Sequence, residues 1–219
     1  MIGDLFAGAP PQAGTSGTEL IGAGAMVLRG RALPAAAALL DGVAAVAAAA
    51  PFRHMVTPGG FTMSAAMTNC GALGWVADRG GYRYAARDPA SGAPWPAMPA
   101  AFARLATAAA AAAGFPGFRP DACLVNEYRP GARLSLHQDR DEEDLGQPIV
   151  SVSLGLPARF QFGGATRAAP VRRHLLHHGD VVVWGGPSRL FFHGVLALAA
   201  GDHPLVGARR LNLTFRKAG

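Results

Sequence analysis

His137 and Asp139 stand two apart in the run "LHQDRDEED", Leu136 to Asp144, which packs five of the chain's fourteen acidic residues into six positions. On an extended segment both point to one side. An imidazole nitrogen and a carboxylate oxygen suit a divalent metal of intermediate hardness, but two ligands do not make a site. Of the seven histidines (His54, His137, His174, His177, His178, His193 and His203), His193 is the one set in a hydrophobic run, "RLFFHGV". An apolar strand with one imidazole calls for a partner, whereas His174, His177 and His178 cluster beside Gly179 in turn or surface roles. Two histidines and one carboxylate on one face leave coordination positions open, the arrangement of non-haem Fe(II) oxygenases.

Alternation supplies a second constellation. In "RRLNLTFR", Leu211, Leu213 and Phe215 face one way while Arg210, Asn212, Thr214 and Arg216 face the other. The two arginines lie about 20 Å apart along an extended strand, and their long side chains can converge on the two ends of a dianion. The alternative is a solvated face with two ordinary arginines. In "CLVNEY", Asn126 and Tyr128 share a face and offer neutral hydrogen-bonding groups.

These residues need a frame. From Asp121 onward the chain is a series of short alternating runs separated by Gly and Pro turns, including "ACLVNEY", "IVSVSLG", "ARFQFGG" and "DVVVWGG", the pattern of an antiparallel barrel or jelly roll. Upstream, two alanine-rich helices are predicted over about Pro34 to Ala50 and Pro99 to Ala113, each opened by Pro. Between them "TPGGFTMSAAMTNCGALGW" reads as a turn followed by a strand around Met63 to Asn69, and the proline-rich "DPASGAPWPAMP" as loop. Residues 1–24 are expected to form a mobile arm, and 25–219 one domain, with a cover at about 51–98 over a core at about 119–217. At 219 residues one β domain is the default.

The alanine runs are too short and too often interrupted, by Asp41 and Arg104, to span a bilayer. Two cysteines, Cys70 and Cys123, make no disulfide framework, and the N-terminus carries no secretory pattern, so a cytoplasmic monomer is expected. Twenty Lys and Arg against fourteen acids give a net charge of +6, which suits an anionic partner such as nucleic acid or simple solubility.

The combination "NEYRPGARLSLHQDRDE", "IVSVSLGLPARFQFGG", "GDVVVWGGPSRLFFHGV" and "RRLNLTFR", with "APFRHMVTPGGFTMSAAMTNCGALGW" and "PWPAMP" upstream, closely resembles the AlkB family of Fe(II)- and 2-oxoglutarate-dependent dioxygenases. The resemblance implies an α+β, mainly β fold: a double-stranded β-helix, or jelly roll, with N-terminal helices and a nucleotide-recognition lid. It implies iron held by His137, Asp139 and His193, and 2-oxoglutarate bound by Arg210 and Arg216 with Asn126, Tyr128 and Asn212. With O2, these cofactors would oxidatively remove alkyl groups from bases such as 1-methyladenine and 3-methylcytosine, in single- or double-stranded DNA or in RNA, releasing formaldehyde, succinate and CO2.

On the substrate side the resemblance places Trp75 against the flipped base, opposite His137, and Asp141 near the base's polar edge. Tyr82, Met67 and Thr57 become lid contacts, and Arg167 a substrate-facing arginine. The less favoured alternative is that Trp75 is an ordinary packed aromatic. Arg140 is expected to point the opposite way from its flanking aspartates, toward phosphate. Glu142, Glu143 and Asp144 read as an exposed turn before the strand near Ile149. Two other classes compete. A zinc hydrolase could use the same triad but gives no reason for the Arg-x-Asn-x-Thr-x-Arg face, and a binding module with a structural metal would want a fourth ligand.

Overall fold

A computed structural model describes residues 17–219. In chain order its elements are β1 (Gly17–Gly22), β2 (Ala25–Arg29), α1 (Ala36–Ala49), β3 (Arg53–Val56), β4 (Thr62–Gly71), β5 (Gly74–Asp78), β6 (Gly81–Ala85) and α2 (Ala100–Ala112). They continue with β7 (Ala122–Tyr128), β8 (Leu134–His137), β9 (Ile149–Gly155), β10 (Ala158–Phe162), β11 (Arg172–Leu176), β12 (Val181–Trp184), β13 (His193–Val195) and β14 (Arg210–Arg216).

Eight strands form the major sheet in the order β1-β2-β12-β9-β14-β7-β4-β3, and four form the minor sheet, β11-β10-β13-β8. Their pairings are antiparallel. The two sheets make the jelly roll that the alternating runs predict. Alternation along the central strands sorts side chains between two compartments. Val150, Val152, Leu154, Leu211, Leu213 and Phe215 belong to the core beneath the helices. Trp184, Phe160 and Phe162 belong to the core between the sheets.

The helices cover the outer face of the major sheet because their apolar residues recur every three or four positions: Ala36, Leu39, Val43 and Val46 on α1, and Phe102, Leu105, Ala106 and Ala109 on α2, are buried. Phe102 meets Phe215 edge to face at 5.9 Å, and full burial of such a ring is worth about 1.5–3 kcal/mol. Small residues let the helices approach. A Cβ on Gly42 would lie 2.6 Å from the Phe102 ring, so glycine is needed there. Pro99 caps α2 from outside rather than starting it.

The expected N-terminal arm is corrected in part. Gly17–Gly22 is a strand paired with β2, and β2 continues onto β12. Its composition looked unstructured, but the neighbouring β2, itself held on β12 more than a hundred residues away, pairs its backbone, and Ile21 is buried. Residues 1–16 lie outside the described residues. The stretch at about 51–98 is also more ordered than its turns suggest: β4 pairs with β7 as part of the major sheet, while β5 and β6 form a separate hairpin.

Candidate active site

The metal-ligand candidates converge because β8 and β13 are neighbours with His137 directly opposite His193. Glycine makes this possible. A Cβ on Gly194 would come within 2.7 Å of the Leu134 carbonyl oxygen, so a larger residue would force the two strands apart. Asp139 completes the group, and the ligand atoms of His137, Asp139 and His193 all lie within 4.8 Å of one another. Nε2 of His137 is 3.5 Å from Asp139 Oδ1, and Nε2 of His193 is 3.7 Å from Oδ2. A metal with bonds of about 2.1 Å would draw these atoms to roughly 3 Å, a small closure.

Each imidazole is turned for this purpose. Nδ1 of His137 is 2.9 Å from the Ser135 carbonyl and Nδ1 of His193 is 3.0 Å from that of Phe191. An Nδ1–H donor to each carbonyl leaves both Nε2 lone pairs for the metal. Burial and the neighbouring His137 push the His193 imidazole down to about 4, so it is neutral at physiological pH. Burial also opposes charging of His137, but its hydrogen bond to Asp139 prevails and raises its pKa. Despite burial, the Arg216 charge and the His137 contact hold the Asp139 carboxyl well below its ordinary value. In the metal-free protein a proton on His137 therefore competes with the metal. Divalent-metal affinity should fall as pH drops through the raised His137 pKa, by up to about tenfold per unit. Co(II) titration from pH 8 downward checks this, and a flat profile would contradict it.

The second constellation lines the same cavity, whose volume is about 550 Å³. On β14, Arg210 faces Tyr128 of β7, and Asn212 lies between Asn126 of β7 and Ser153 of β9. All are buried. Arg210 donates through Nη2 to Ser153 Oγ at 2.9 Å and lies over the Tyr128 ring at 5.1 Å. Its Nε and Nη1, the Tyr128 hydroxyl and Asn126 Oδ1 have no hydrogen-bond partner among the described residues. Three unpaired buried donors are costly unless something negative comes to them, and a carboxylate fits them. Asn212 is fixed by bonds to Ser151 Oγ at 2.8 Å and the Val152 carbonyl at 3.0 Å, and accepts from Thr214.

The two arginines are not equivalent. Arg216 is already engaged, donating to Asp139 Oδ2 from Nη2 at 2.6 Å and from Nε at 3.0 Å, with Glu142 Oε1 3.2 Å from Nε. Burial lowers the Arg210 pKa, whereas the carboxylates around Arg216 overcome burial and raise its own.

The cavity is also lined by Thr57, Trp75 and Tyr82 and by the buried Met67. Trp75 and Tyr82 stack at 5.6 Å with planes 13° apart. Asp141 is exposed at the rim and accepts from Trp75 Nε1 at 2.9 Å. Arg167 is exposed, donating to the Leu136 carbonyl with its guanidinium over Phe192. Neither Asp141 nor Arg167 lines the cavity itself. Arg140 is exposed as well.

One sequence expectation fails here: Glu142 is not part of an exposed turn. It is buried and contacts Tyr84, Arg189 and Arg216. β8 ends at His137, so period-two parity does not extend to Asp141 or Glu142. The sequence reading also missed Ser151 and Trp184 as cavity residues, and Ser153 as the hydrogen-bond partner of Arg210. The serines were recoverable, since "IVSVSLG" puts them on one face, opposite Val150, Val152 and Leu154.

The fold and site define a class: the chain belongs to the 2OG-Fe(II) oxygenase superfamily, whose sequence model matches residues 24–216. It is 60% identical over 215 residues, 98% of this chain and 97% of the relative, to the alpha-ketoglutarate-dependent dioxygenase AlkB of Salmonella typhimurium, which places it in the AlkB family. The solved structure of OsALKBH1 superposes with a TM-score of 0.76 at 27% identity, covering 92% of this chain and all of that one. A shorter match, 41% over 112 residues, covers 46% of this chain and 25% of the DNA N(6)-methyladenine demethylase ALKBH1D of Arabidopsis thaliana. The chain is thus an Fe(II)- and 2-oxoglutarate-dependent dioxygenase using O2, and the triad and unpaired donors suit those two ligands. No helix among the described residues is long and apolar enough to cross a membrane.

Proposed function

We propose that the chain oxidatively dealkylates N-alkylated bases in DNA, with RNA as a second substrate, and that His137, Asp139 and His193 hold the iron. The observation that carries the reading is the single cavity that joins the triad, the unpaired Arg210 and Tyr128 donors and the Trp75 and Tyr82 aromatics. Iron and the keto acid held there would supply the oxidation of the alkyl carbon on the base nitrogen by O2, with succinate and CO2 formed from the keto acid and a methyl carbon released as formaldehyde.

The residues bind and orient. Arg210 and Tyr128 take the far carboxylate of 2-oxoglutarate, with Asn126 beside them and Asn212 keeping their floor rigid. Arg216 keeps Asp139 ionised and turned toward the metal while offering its remaining surface to the near carboxylate. Thr57, Met67, Trp75 and Tyr82 receive the extruded base, the indole giving it a stacking face. Arg167 and Arg140, exposed near the opening, serve the nucleic-acid backbone. The chain acts as a cytoplasmic monomer on this reading, with every site residue drawn from one chain and both cysteines free thiols.

Succinate and formaldehyde release from oligonucleotides carrying 1-methyladenine or 3-methylcytosine tests the reading, on single strands, duplexes and RNA. Turnover must require Fe(II) and 2-oxoglutarate. Persistence with zinc and no keto acid would refute it.

Asp141 adds a specificity prediction. Its carboxylate, held at the rim by the Trp75 indole, meets a cationic ring as a charge-assisted partner that neutral adducts cannot match. Asp141→Ala should cut kcat/KM on cationic methylated bases about tenfold more than on neutral adducts. The ratio of the two losses is the readout, because loosening Trp75 affects both substrates alike. Equal losses would sink the charge argument.

A further inference from the structure

Among the named strands, β5 and β6 pair only with each other, so the hairpin that presents Trp75 and Tyr82 is tied to the body by side chains. At its root Asn69 bonds the Trp75 backbone in both directions, and Trp95 donates to the Ala85 carbonyl. Its two fastenings toward the metal side fall on adjacent residues just past the Asp139 ligand candidate. Trp75 Nε1 donates to Asp141, and the Tyr84 hydroxyl donates to Glu142 Oε1 at 2.7 Å.

Glu142 is the more consequential of the two because it is buried and shared. Oε2 accepts from Arg189 Nη2 at 3.0 Å, and Oε1 lies 3.2 Å from Arg216 Nε. Those same arginines grip Asp139 twice: Arg216 bonds its carboxylate, and Arg189 Nη1 donates to its backbone carbonyl at 2.7 Å. Arg189 is further fixed by the Gln147 carbonyl at 2.8 Å. Two buried carboxylates thus balance two buried guanidinium groups. Without the Glu142 charge, both arginines would bear on Asp139 alone, competing with a metal for its oxygens and making the field there more positive.

We propose that Glu142 is a positioning residue: through Arg216 and Arg189 it sets the metal ligand Asp139, and through Tyr84 it fastens the substrate hairpin to the same point. The inference rests on the reading of His137, Asp139 and His193 as the metal site. Glu142 does not itself line the cavity; it fixes groups that do. Outer partners of this kind alter metal affinity about 10- to 100-fold.

The test uses the full chain without 2-oxoglutarate, Co(II) absorption as the measure of metal binding, and amide exchange as the measure of hairpin order. Glu142→Gln keeps the shape and removes the charge, and should weaken Co(II) binding about 10- to 100-fold. Glu142→Asp keeps the charge in a smaller side chain and should bind Co(II) more tightly than Glu142→Gln, the reverse of the order that packing alone would give. Tyr84→Phe should leave Co(II) affinity at the wild-type value while raising exchange over residues 81–85 roughly tenfold. Wild-type Co(II) affinity in Glu142→Gln, or weaker binding by Glu142→Asp than by Glu142→Gln, would overturn the positioning role. Unchanged exchange in Tyr84→Phe would overturn the fastening. His137→Ala measured alongside separates the failures: if it also binds Co(II) normally, the metal-site reading itself is wrong.

Discussion

Replacing Arg210 by Met should raise the KM for 2-oxoglutarate roughly 30- to 4000-fold and leave the protein without ligands at least as stable as before. The first half follows from charge pairing. Truncating one side of a buried, hydrogen-bonded charge pair costs about 2–5 kcal/mol, and each 1.4 kcal/mol or so is a factor of ten. The second half follows from what Arg210 lacks. It is 1% exposed, two of its nitrogens have no hydrogen-bond partner among the described residues, and its polar contacts there are Ser153 Oγ and the Tyr128 ring. A guanidinium in that position weakens the empty protein and is useful only when a carboxylate arrives. Methionine fills much of the same space without the charge. Thermal melting with and without 2-oxoglutarate, beside steady-state kinetics, checks both halves: the stabilisation by 2-oxoglutarate should vanish while the baseline melting temperature does not fall. An unchanged KM would show that the far carboxylate binds elsewhere.

His137→Ala should bring iron-dependent turnover to background while costing the fold less than about 1 kcal/mol. The side chain is 34% exposed and joins no core cluster, so its removal opens no internal void. Asp139 keeps both bonds from Arg216 after the change, and His193 keeps its carbonyl partner. Asp139 loses the His137 imidazole beside it, and on the proposed reading the metal would lose one of three protein ligands on an open face. Succinate release and the metal content of purified protein are the measurements. Turnover that survives would remove His137 from the iron site.

What the sequence made legible was whatever depends on local periodicity. Alternation in "RRLNLTFR" and "CLVNEY" placed Arg210, Asn212, Asn126 and Tyr128 on one side, and the register of β7 against β14 puts them on the same side of the sheet. The opening prolines of the alanine-rich segments located both helices to within a few residues. His193 stood out as one imidazole in an apolar run, and the register places it opposite His137.

Periodicity has no purchase where the partner is distant or the chain leaves regular structure. Gly17–Gly22 resembled an arm because its own residues bury little; β2, itself anchored on β12, makes it a strand. Beyond His137 no strand continues, so nothing local distinguishes exposed Glu143 from buried Glu142. Glu142 is buried because Arg189, Arg216 and Tyr84, from three other parts of the chain, meet there and neutralise it. The same holds for the two arginines of β14. Their spacing is written in the sequence, but the pairing of Arg216 with Asp139 and the lack of a carboxylate partner for Arg210 among the described residues are not. The sequence alone determined which side chains share a face, since that follows from the backbone repeat; only the tertiary structure decided which buried charges are already paired and which wait for a ligand, since that depends on groups brought together from far along the chain.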